Sequence, residues 1–199
     1  MNIDLHVHCW ERSNCGRASE IEIIAAAQHA GLDALAFTDH DRLMPPERLE
    51  ALNRQFAPFR IFAGVEVTLP DEHVVVLGVQ DPALESLDWE YESLWRFVRS
   101  HAGFMILAHP FRFHDPIAAP IERFPPDAIE VYSINTAIRN EPHIRAIAGK
   151  LGIRLLSDSD SHTTGNVGQF YNQVGQEVET DAGLLDALRS RQPVLVNRL

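Results

Sequence analysis

Apolar positions along the chain alternate between two patterns. Short continuous runs rich in Val, Ile, Leu and Ala are separated by longer stretches where apolar residues recur every three or four positions. The runs "IDLHV" (3–7), "DALAFT" (33–38), "RIFAGVEV" (60–67), "HVVVLGV" (73–79), "GFMILA" (103–108), "DAIEVY" (127–132) and "IRLLS" (153–157) predict strands. Between the first two, "SEIEIIAAAQHAG" predicts a helix opened by a capping box of Ser19 and Glu22 and closed at Gly31. Its apolar face is read as Ile21, Ile24 and Ala25. "PPERLEALNRQF" begins with prolines suited to a helix N-terminus and sets Leu49, Leu52 and Phe56 on one side. "DWEYESLWRFVRSH" predicts a helix with Leu94, Phe97 and Val98 inward, and "NEPHIRAIAGKLG" another. The tail "TDAGLLDALRSRQPVLVNRL" adds a last helix and a short strand, with no repeat or low-complexity linker anywhere.

Continuous apolar strands alternating with helices imply an α/β fold whose parallel sheet is covered on both faces, closed as a barrel or open. One connection departs from this rule. Only six residues separate Glu66 from His73, too few for the crossover that parallel strands need, so these strands should form an antiparallel hairpin. Glu66 and His73 then converge, and any barrel is distorted and incomplete. A chain of 199 residues, 45% hydrophobic, can bury a substantial core and is read as one domain, 1–199.

Charge and cysteines narrow the function classes. The formal net charge of −11 argues against binding long nucleic acid, which requires clustered Lys and Arg, but not against a small phosphorylated substrate met through divalent cations. With the first strand starting at Ile3, no secretory leader is expected, and no apolar run approaches the roughly 20 residues that span a bilayer. A cytoplasmic setting follows as the expectation. There Cys9 and Cys15 are metal or spectator residues rather than a disulfide. Nothing in the sequence fixes the oligomeric state.

The ionisable residues gather at the strand ends. His6 and His8 end the first strand, and Asp39, His40 and Asp41 follow the second. Glu66 ends the third, and His73 returns beside it. His109 follows the fifth, and Asp158, Asp160 and His162 the seventh. Six of the ten histidines therefore fall at the edge where α/β barrels build active sites. Each motif alone has an ordinary explanation: a hydrogen-bonded histidine pair, a helix-capping turn, a polar loop, a solvated carboxylate. Five strand ends delivering ligand-type residues to one edge is a different observation, and it points to a metal site suited to Zn, Mn or Fe. His29, His101, His114 and His143 fit no such pattern.

The motifs "DLHVH", "GLDALAFTDHD", "GVEV" followed by His73, "AHPFR", "IEVYS" and "SDSDSH" resemble, in order and spacing, those of the PHP (polymerase and histidinol phosphatase) superfamily, from the first strand to about Gly168. The resemblance implies a distorted (β/α)7 barrel and, for the small members, a metal-dependent phosphoesterase with two or three ions. It also implies a ligand set. His6, His8, Glu66 and Asp160 would hold one ion, and Glu66 would bridge to a second held by His73 and His109. His40 and His162 would hold a third with a residue of the turn after strand one. In that turn the family often presents Asp or His, whereas "ERSNCG" offers Asn14, a poor neutral ligand, Cys15, a strong soft one as thiolate, and Glu11 nearby. Two occupied ions are expected, with a third that is weak, completed by solvent or bound by Cys15.

The chemistry expected is attack on a small phosphate ester by a hydroxide held at this di- or trinuclear site, Glu66 fixing the ion separation. His40 and His162 would stabilise the leaving oxygen. Arg112 would contact phosphate through its planar fork, with Arg17 a weaker candidate and Glu130 a supporting group. Three alternatives stand beside this reading: nuclease or exonuclease activity on oligonucleotides, a binuclear hydrolase of C–N or C–O bonds, and a non-catalytic metal-binding module. The second usually needs a carboxylated lysine, and the single lysine, Lys150, lies on a helix away from the site.

Overall fold

The computed structural model describes residues 1–175 and 178–199. Among the described residues, nine strands form one sheet in the order β7-β6-β5-β4-β3-β2-β1-β8-β9. They are β1 (Asn2–Val7), β2 (Ala34–Phe37), β3 (Arg60–Thr68), β4 (His73–Leu77), β5 (Phe104–Leu107), β6 (Ala128–Tyr132), β7 (Arg154–Ser157), β8 (Phe170–Gln173) and β9 (Val194–Asn197). The helices are α1 (Glu20–His29), α2 (Pro46–Phe56), α3 (Tyr91–Ser100), α4 (Glu141–Leu151) and α5 (Asp181–Ser190). Strands β1 to β3 and β5 to β7 are parallel, and β4 runs antiparallel to both of its neighbours. The hairpin expected from the short connection is present, pairing Thr68 with His73.

The sheet curls into a nearly closed barrel. At the C-terminal ends of the strands, Val7 bridges Ser161 in parallel, and the His8 N–H donates to the Ser161 carbonyl at 2.9 Å. Lower down, β8 and β9 extend the sheet beyond β1. The Asn172 side chain of β8 bonds the Ser157 N–H at 3.0 Å and the Ser157 carbonyl at 2.9 Å, tying the extension to β7. Strand β8 has no counterpart in the apolar pattern. "FYNQ" lacks both a continuous run and a clean alternation, and its place is fixed by antiparallel pairing to Asn2 and Ile3.

Three apolar clusters surround this sheet. One gathers Phe62, Val75, Leu77, Phe104, Ile106, Ala128 and Leu156 with Leu184, Leu185 and Leu188 of α5, so the last helix closes the end of the barrel away from the loops. The second packs α3 and α4 against β3 to β7, and the third packs α1 and α2 against β1 to β3. Helix α1 carries the expected capping box at Ser19 and Glu22, with Gly31 at φ 79° just beyond its end. Its buried face differs from the expected one. Ile23, Ile24 and Ala27 are inside, while Ile21 and Ala25 are exposed, because sheet contact selects the 23–24–27 stripe over the neighbouring one. Among the described residues no helix is long and apolar enough to cross a membrane.

Strand alternation makes this fold a scaffold for chemistry. Successive side chains of a strand point to opposite faces, so Phe62 and Glu66 share a face of β3, His73 and Val75 of β4, and Ala128 and Glu130 of β6. The face that is apolar toward α5 becomes ionisable at the loop edge.

Candidate metal centre

Four side chains converge on one point at the loop edge, all of them buried. His6 Nε2 and His8 Nε2 are 3.1 Å apart, and Glu66 Oε2 lies 3.2 and 3.1 Å from them. Asp160 Oδ1 is 3.4 Å from His6 Nε2 and 3.1 Å from His8 Nε2. Bonds of about 2.0–2.1 Å to N and O ligands in a tetrahedron place the ligand atoms roughly 3.3–3.4 Å apart, so this spacing fits one ion. A second observation agrees: Glu66 Oε2 is buried and has no hydrogen-bond partner among the described residues. Both fit a cation held by this donor set.

The tautomer of His6 is set from behind. His6 Nδ1 donates to Glu130 Oε1 at 2.7 Å, which leaves Nε2 with a lone pair aimed into the cluster. The other oxygen of Glu130 accepts the His109 N–H at 2.7 Å, so one buried carboxylate positions two histidines. Glu66 divides its two oxygens. Oε2 faces the group just described, while Oε1 lies 2.9 Å from His73 Nδ1 and 3.0 Å from His109 Nε2. Both oxygens of Glu66 thus face imidazole nitrogens. His40 Nδ1 also lies 3.2 Å from Glu66 Oε2.

The electrostatics are those of a place built for positive charge. Burial opposes charge on His6, but Glu66, Asp160 and Glu130 hold its pKa well above the ordinary value. His8, also working against burial, is raised to about 9 by Asp160 and Glu66. Burial tends to raise Glu66 and Asp160, yet the surrounding histidines hold both carboxylates low. Without a metal, protons on imidazoles supply the charge these carboxylates require. At the rim the balance reverses. Burial, with the neighbouring histidines, lowers His40 to about 4, and burial with His8 lowers His162.

The turn after β1 places Cys15 among imidazoles. His8, Cys15, His40 and His162 each offer a ligand atom within 4.8 Å of the others. The other turn residues stand away from this group. Asn14 is exposed, and the Glu11 carboxylate accepts the Glu20 N–H at the start of α1. Cys9, Glu11 and Glu20 also lie close together, but Arg12 and Arg48 pair with Glu20, and Arg12 with Asp39. That group is already neutralised by guanidinium. Asp41 accepts the Thr68 N–H at 2.8 Å rather than facing the cluster.

Arg112 reaches the edge of the site, its Nη1 3.6 Å from Asp160 Oδ2. Arg17 is exposed, and its backbone N–H donates to the His162 carbonyl at 2.8 Å. His29, His101, His114 and His143 lie outside the cluster, His114 3.4 Å from Asp71. Two groups near the site, Asn135 and Asp4, escaped the sequence reading, and Asp158, expected among the ligand-type residues after the seventh strand, is instead turned to β1. Asn135 Nδ2 donates to Asp160 Oδ2 at 2.5 Å from the loop after β6. Asp4 accepts the Ser159 N–H at 2.9 Å, and Asp158 accepts the Leu5 N–H at 2.9 Å, lacing β1 to the loop after β7. A carboxylate inside the apolar run of β1 was the available signal for Asp4. His109 (φ 28°) and Asp160 (φ 52°) adopt left-handed backbone, strain of the kind held at functional sites.

Comparison with known proteins adds to this geometry. Residues 142–193 match a family model described as PHP-associated. No curated protein sequence matches the chain. Among solved structures, an amidohydrolase from Chromobacterium violaceum with bound sulfate and no metal is 18% identical, with a TM-score of 0.71 over 100% of this chain and 99% of that one. A two-domain protein of Bacteroides vulgatus, containing a predicted PHP-like metal-dependent phosphoesterase, is 16% identical, with a TM-score of 0.71 over 99% of this chain and 64% of that one. The lesion-specific endonuclease PfuEndoQ of Pyrococcus furiosus is 16% identical, with a TM-score of 0.64 over 96% of this chain and 57% of that one. At such identities the likeness is one of fold.

Proposed function

We propose that this chain is a metal-dependent phosphoesterase of the PHP kind acting on a small phosphate ester, a reading supported by the motif order, the barrel and the PHP-associated segment. The observation that carries the reading is the ion-sized gap between His6, His8, Glu66 and Asp160, joined through Glu66 to His73 and His109. Divalent ions held there would supply an activated water at neutral pH and neutralise charge at phosphorus. The choice among Zn, Mn and Fe stays open to this donor set.

The chain's own residues take distinct parts. Glu130 fixes the His6 tautomer and the His109 backbone, so the ligand atoms are placed before substrate arrives. Arg112, half-exposed beside Asp160, is assigned to the phosphate, where its fork can pair two oxygens. His40 and His162 flank the leaving oxygen. His162 Nδ1 donates to the Asp160 carbonyl at 2.8 Å, so its Nε2 is a lone-pair carrier rather than an acid. The net charge of −11 favours a small substrate over a long polyanion.

The likeness to an endonuclease favours one second reading, cleavage of a phosphodiester in an oligonucleotide. Elemental analysis of the purified protein, followed by phosphate-release assays on monoesters and on a single-stranded oligonucleotide, separates the two. Bound transition metal with monoester turnover supports the first reading. Oligonucleotide cleavage without monoester turnover supports the second, and a metal-free inactive protein refutes both.

A further inference from the structure

The loop after β5 brings two consecutive side chains to the mouth of the pocket, one charged and one aromatic. Phe111 has left-handed backbone, φ 66°, unusual for a bulky residue, and its half-buried ring packs against the apolar cluster of α3 and α4. Arg112 and Phe113 stay outside that cluster. Arg112 Nη1 is 3.6 Å from Asp160 Oδ2. The Phe113 ring, 45% exposed, stands with its centroid 4.8 Å from that of His73 and 5.8 Å from that of His109. The Arg112 guanidinium lies over the same ring, 5.3 Å from its centroid. The loop is pinned at both ends: the His109 N–H donates to Glu130, and the Ala118 N–H donates at 2.9 Å to the buried carboxylate of Glu72. Single exposed apolar side chains are ordinary on protein surfaces. This one differs in its place, against two imidazoles at the cation cluster and beside the guanidinium assigned to phosphate.

We propose that Phe113 is a stacking wall that selects phosphate monoesters whose alcohol part carries a flat aromatic ring one or two bonds from the ester oxygen. This selectivity rests on the phosphoesterase reading above and gives that site its substrate class. The mouth has two unlike sides. Around Asp160 Oδ2 it is polar, with Arg112 and the amide of Asn135, which donates to that oxygen at 2.5 Å. Beside His73 and His109 it is aromatic. With the phosphoryl group drawn to Arg112, the substituent on the ester oxygen can meet Phe113. Ring-on-ring contact there buries apolar surface otherwise left in water and adds the offset or edge-on attraction of an aromatic pair. A saturated ring of the same size gains the burial without that added attraction. The short spacing follows from adjacency: fork and ring belong to neighbouring residues 5.3 Å apart, so a substrate whose ring sits far from its phosphate fits both poorly.

Matched esters test this on the metal-loaded protein. Benzyl phosphate and cyclohexylmethyl phosphate are similar in size and in leaving-group basicity and differ in the flatness of the ring. The wild type should show a KM about 3–10-fold lower for the benzyl ester with little difference in kcat, the range expected of one aromatic pair. Phe113→Leu should bring the two KM values together and Phe113→Trp should keep them apart, with the same ion content in all three proteins. The preference should shrink for 4-phenylbutyl over 4-cyclohexylbutyl phosphate, and an undiminished one would overturn the short spacing. Calorimetry with benzylphosphonate and cyclohexylmethylphosphonate, which are not hydrolysed, reads the same selectivity without turnover. Equal affinity for the two phosphonates in the wild type, or a benzyl preference that survives in Phe113→Leu, would overturn the proposal, while phosphate release from either ester would leave the phosphoesterase reading standing. A phosphonate preference that is lost in Phe113→Leu, with no release from any ester, would keep the aromatic wall and remove the hydrolytic reading. A protein that binds neither phosphonate would remove both.

Discussion

The inner pocket and the outer rim of this site are neighbours built by different means. His6, His8, Glu66 and Asp160 are fully or almost fully buried, and their ligand atoms stand 3.1–3.4 Å apart. Cys15, His40 and His162 are half-buried at the rim, where they group with His8. Of the inner ligands, His6 and Glu66 lie in strands and His8 directly follows β1, where pleat and ladder fix direction, while Asp160 comes from the loop after β7; Glu130 holds the His6 ring from behind. The outer ligands come from a turn and two loops, joined by backbone hydrogen bonds between those segments. Strands and their ends set most of the inner hole, while the rim is set by a turn and two loops tied together through backbone hydrogen bonds.

The largest expected effect comes from breaking the inner set. His6→Ala should lose the inner ion and lower phosphate release about 1000-fold or more, the several kcal/mol that a bound cation contributes at phosphorus. Retained turnover with a full metal complement would show that the inner pocket is not the centre. The pH dependence sharpens the same point. His8 is raised to about 9 by Asp160 and Glu66 although burial works against it, so in the metal-free protein it keeps its proton at pH 7. A cation must displace that proton. His6, also raised, must give up a proton as well, so inner-site affinity should climb more than about tenfold per pH unit below pH 9, as a metal-buffered titration would record. The sign for folding is the opposite. A folded pKa above the ordinary 6.5 stabilises the metal-free protein below pH 6.5, and that contribution disappears as pH rises through about 9.

Glu130→Gln tests whether the rear support is what presets the inner pocket. It keeps the shape but weakens the charged bonds to His6 and His109, and metal affinity should fall about 10–100-fold, measured by competition with a chromophoric chelator. An unchanged affinity would place the preset elsewhere. Arg112→Ala should raise KM for a phosphate monoester about tenfold with little change in metal content, and Arg112→Lys should not restore it, because the planar fork is lost. Equal KM in all three forms would remove Arg112 from phosphate contact.

The inner half of this contrast was legible in the sequence, and the outer half only in part. Short continuous apolar runs placed β1 to β7, and a connection too short for a crossover revealed the β3–β4 hairpin. The sequence positions of His6, His8, Glu66, His73, His109 and Asp160 at strand ends followed directly. What stayed hidden depends on contacts between distant segments. Asn135 is an ordinary loop residue until its amide meets Asp160, and Asp4 matters only once β1 and the loop after β7 are laced together; Asp158 was read at its strand end, but its bond to the Leu5 N–H was not. Strand β8 has no periodic signal because its pairing to β1, not its own pattern, makes it a strand. The stripe buried on α1 was misread for a related reason: an Ala- and Ile-rich helix offers several adjacent apolar stripes, and only packing against β1 to β3 selects one. The grouping of Cys15 with His40 and His162 came from the motif resemblance, while the backbone hydrogen bonds that tie the turn to both histidines were not legible.

Anomalous X-ray diffraction from crystals of the metal-loaded protein, collected on either side of the absorption edge of the bound ion, tests the central claim most directly. The strongest peak should lie between His6 Nε2, His8 Nε2, Glu66 Oε2 and Asp160 Oδ1, with a second beside the other oxygen of Glu66, between His73 and His109. A fully loaded protein whose anomalous peaks fall elsewhere, leaving those four atoms around ordinary solvent, would contradict it.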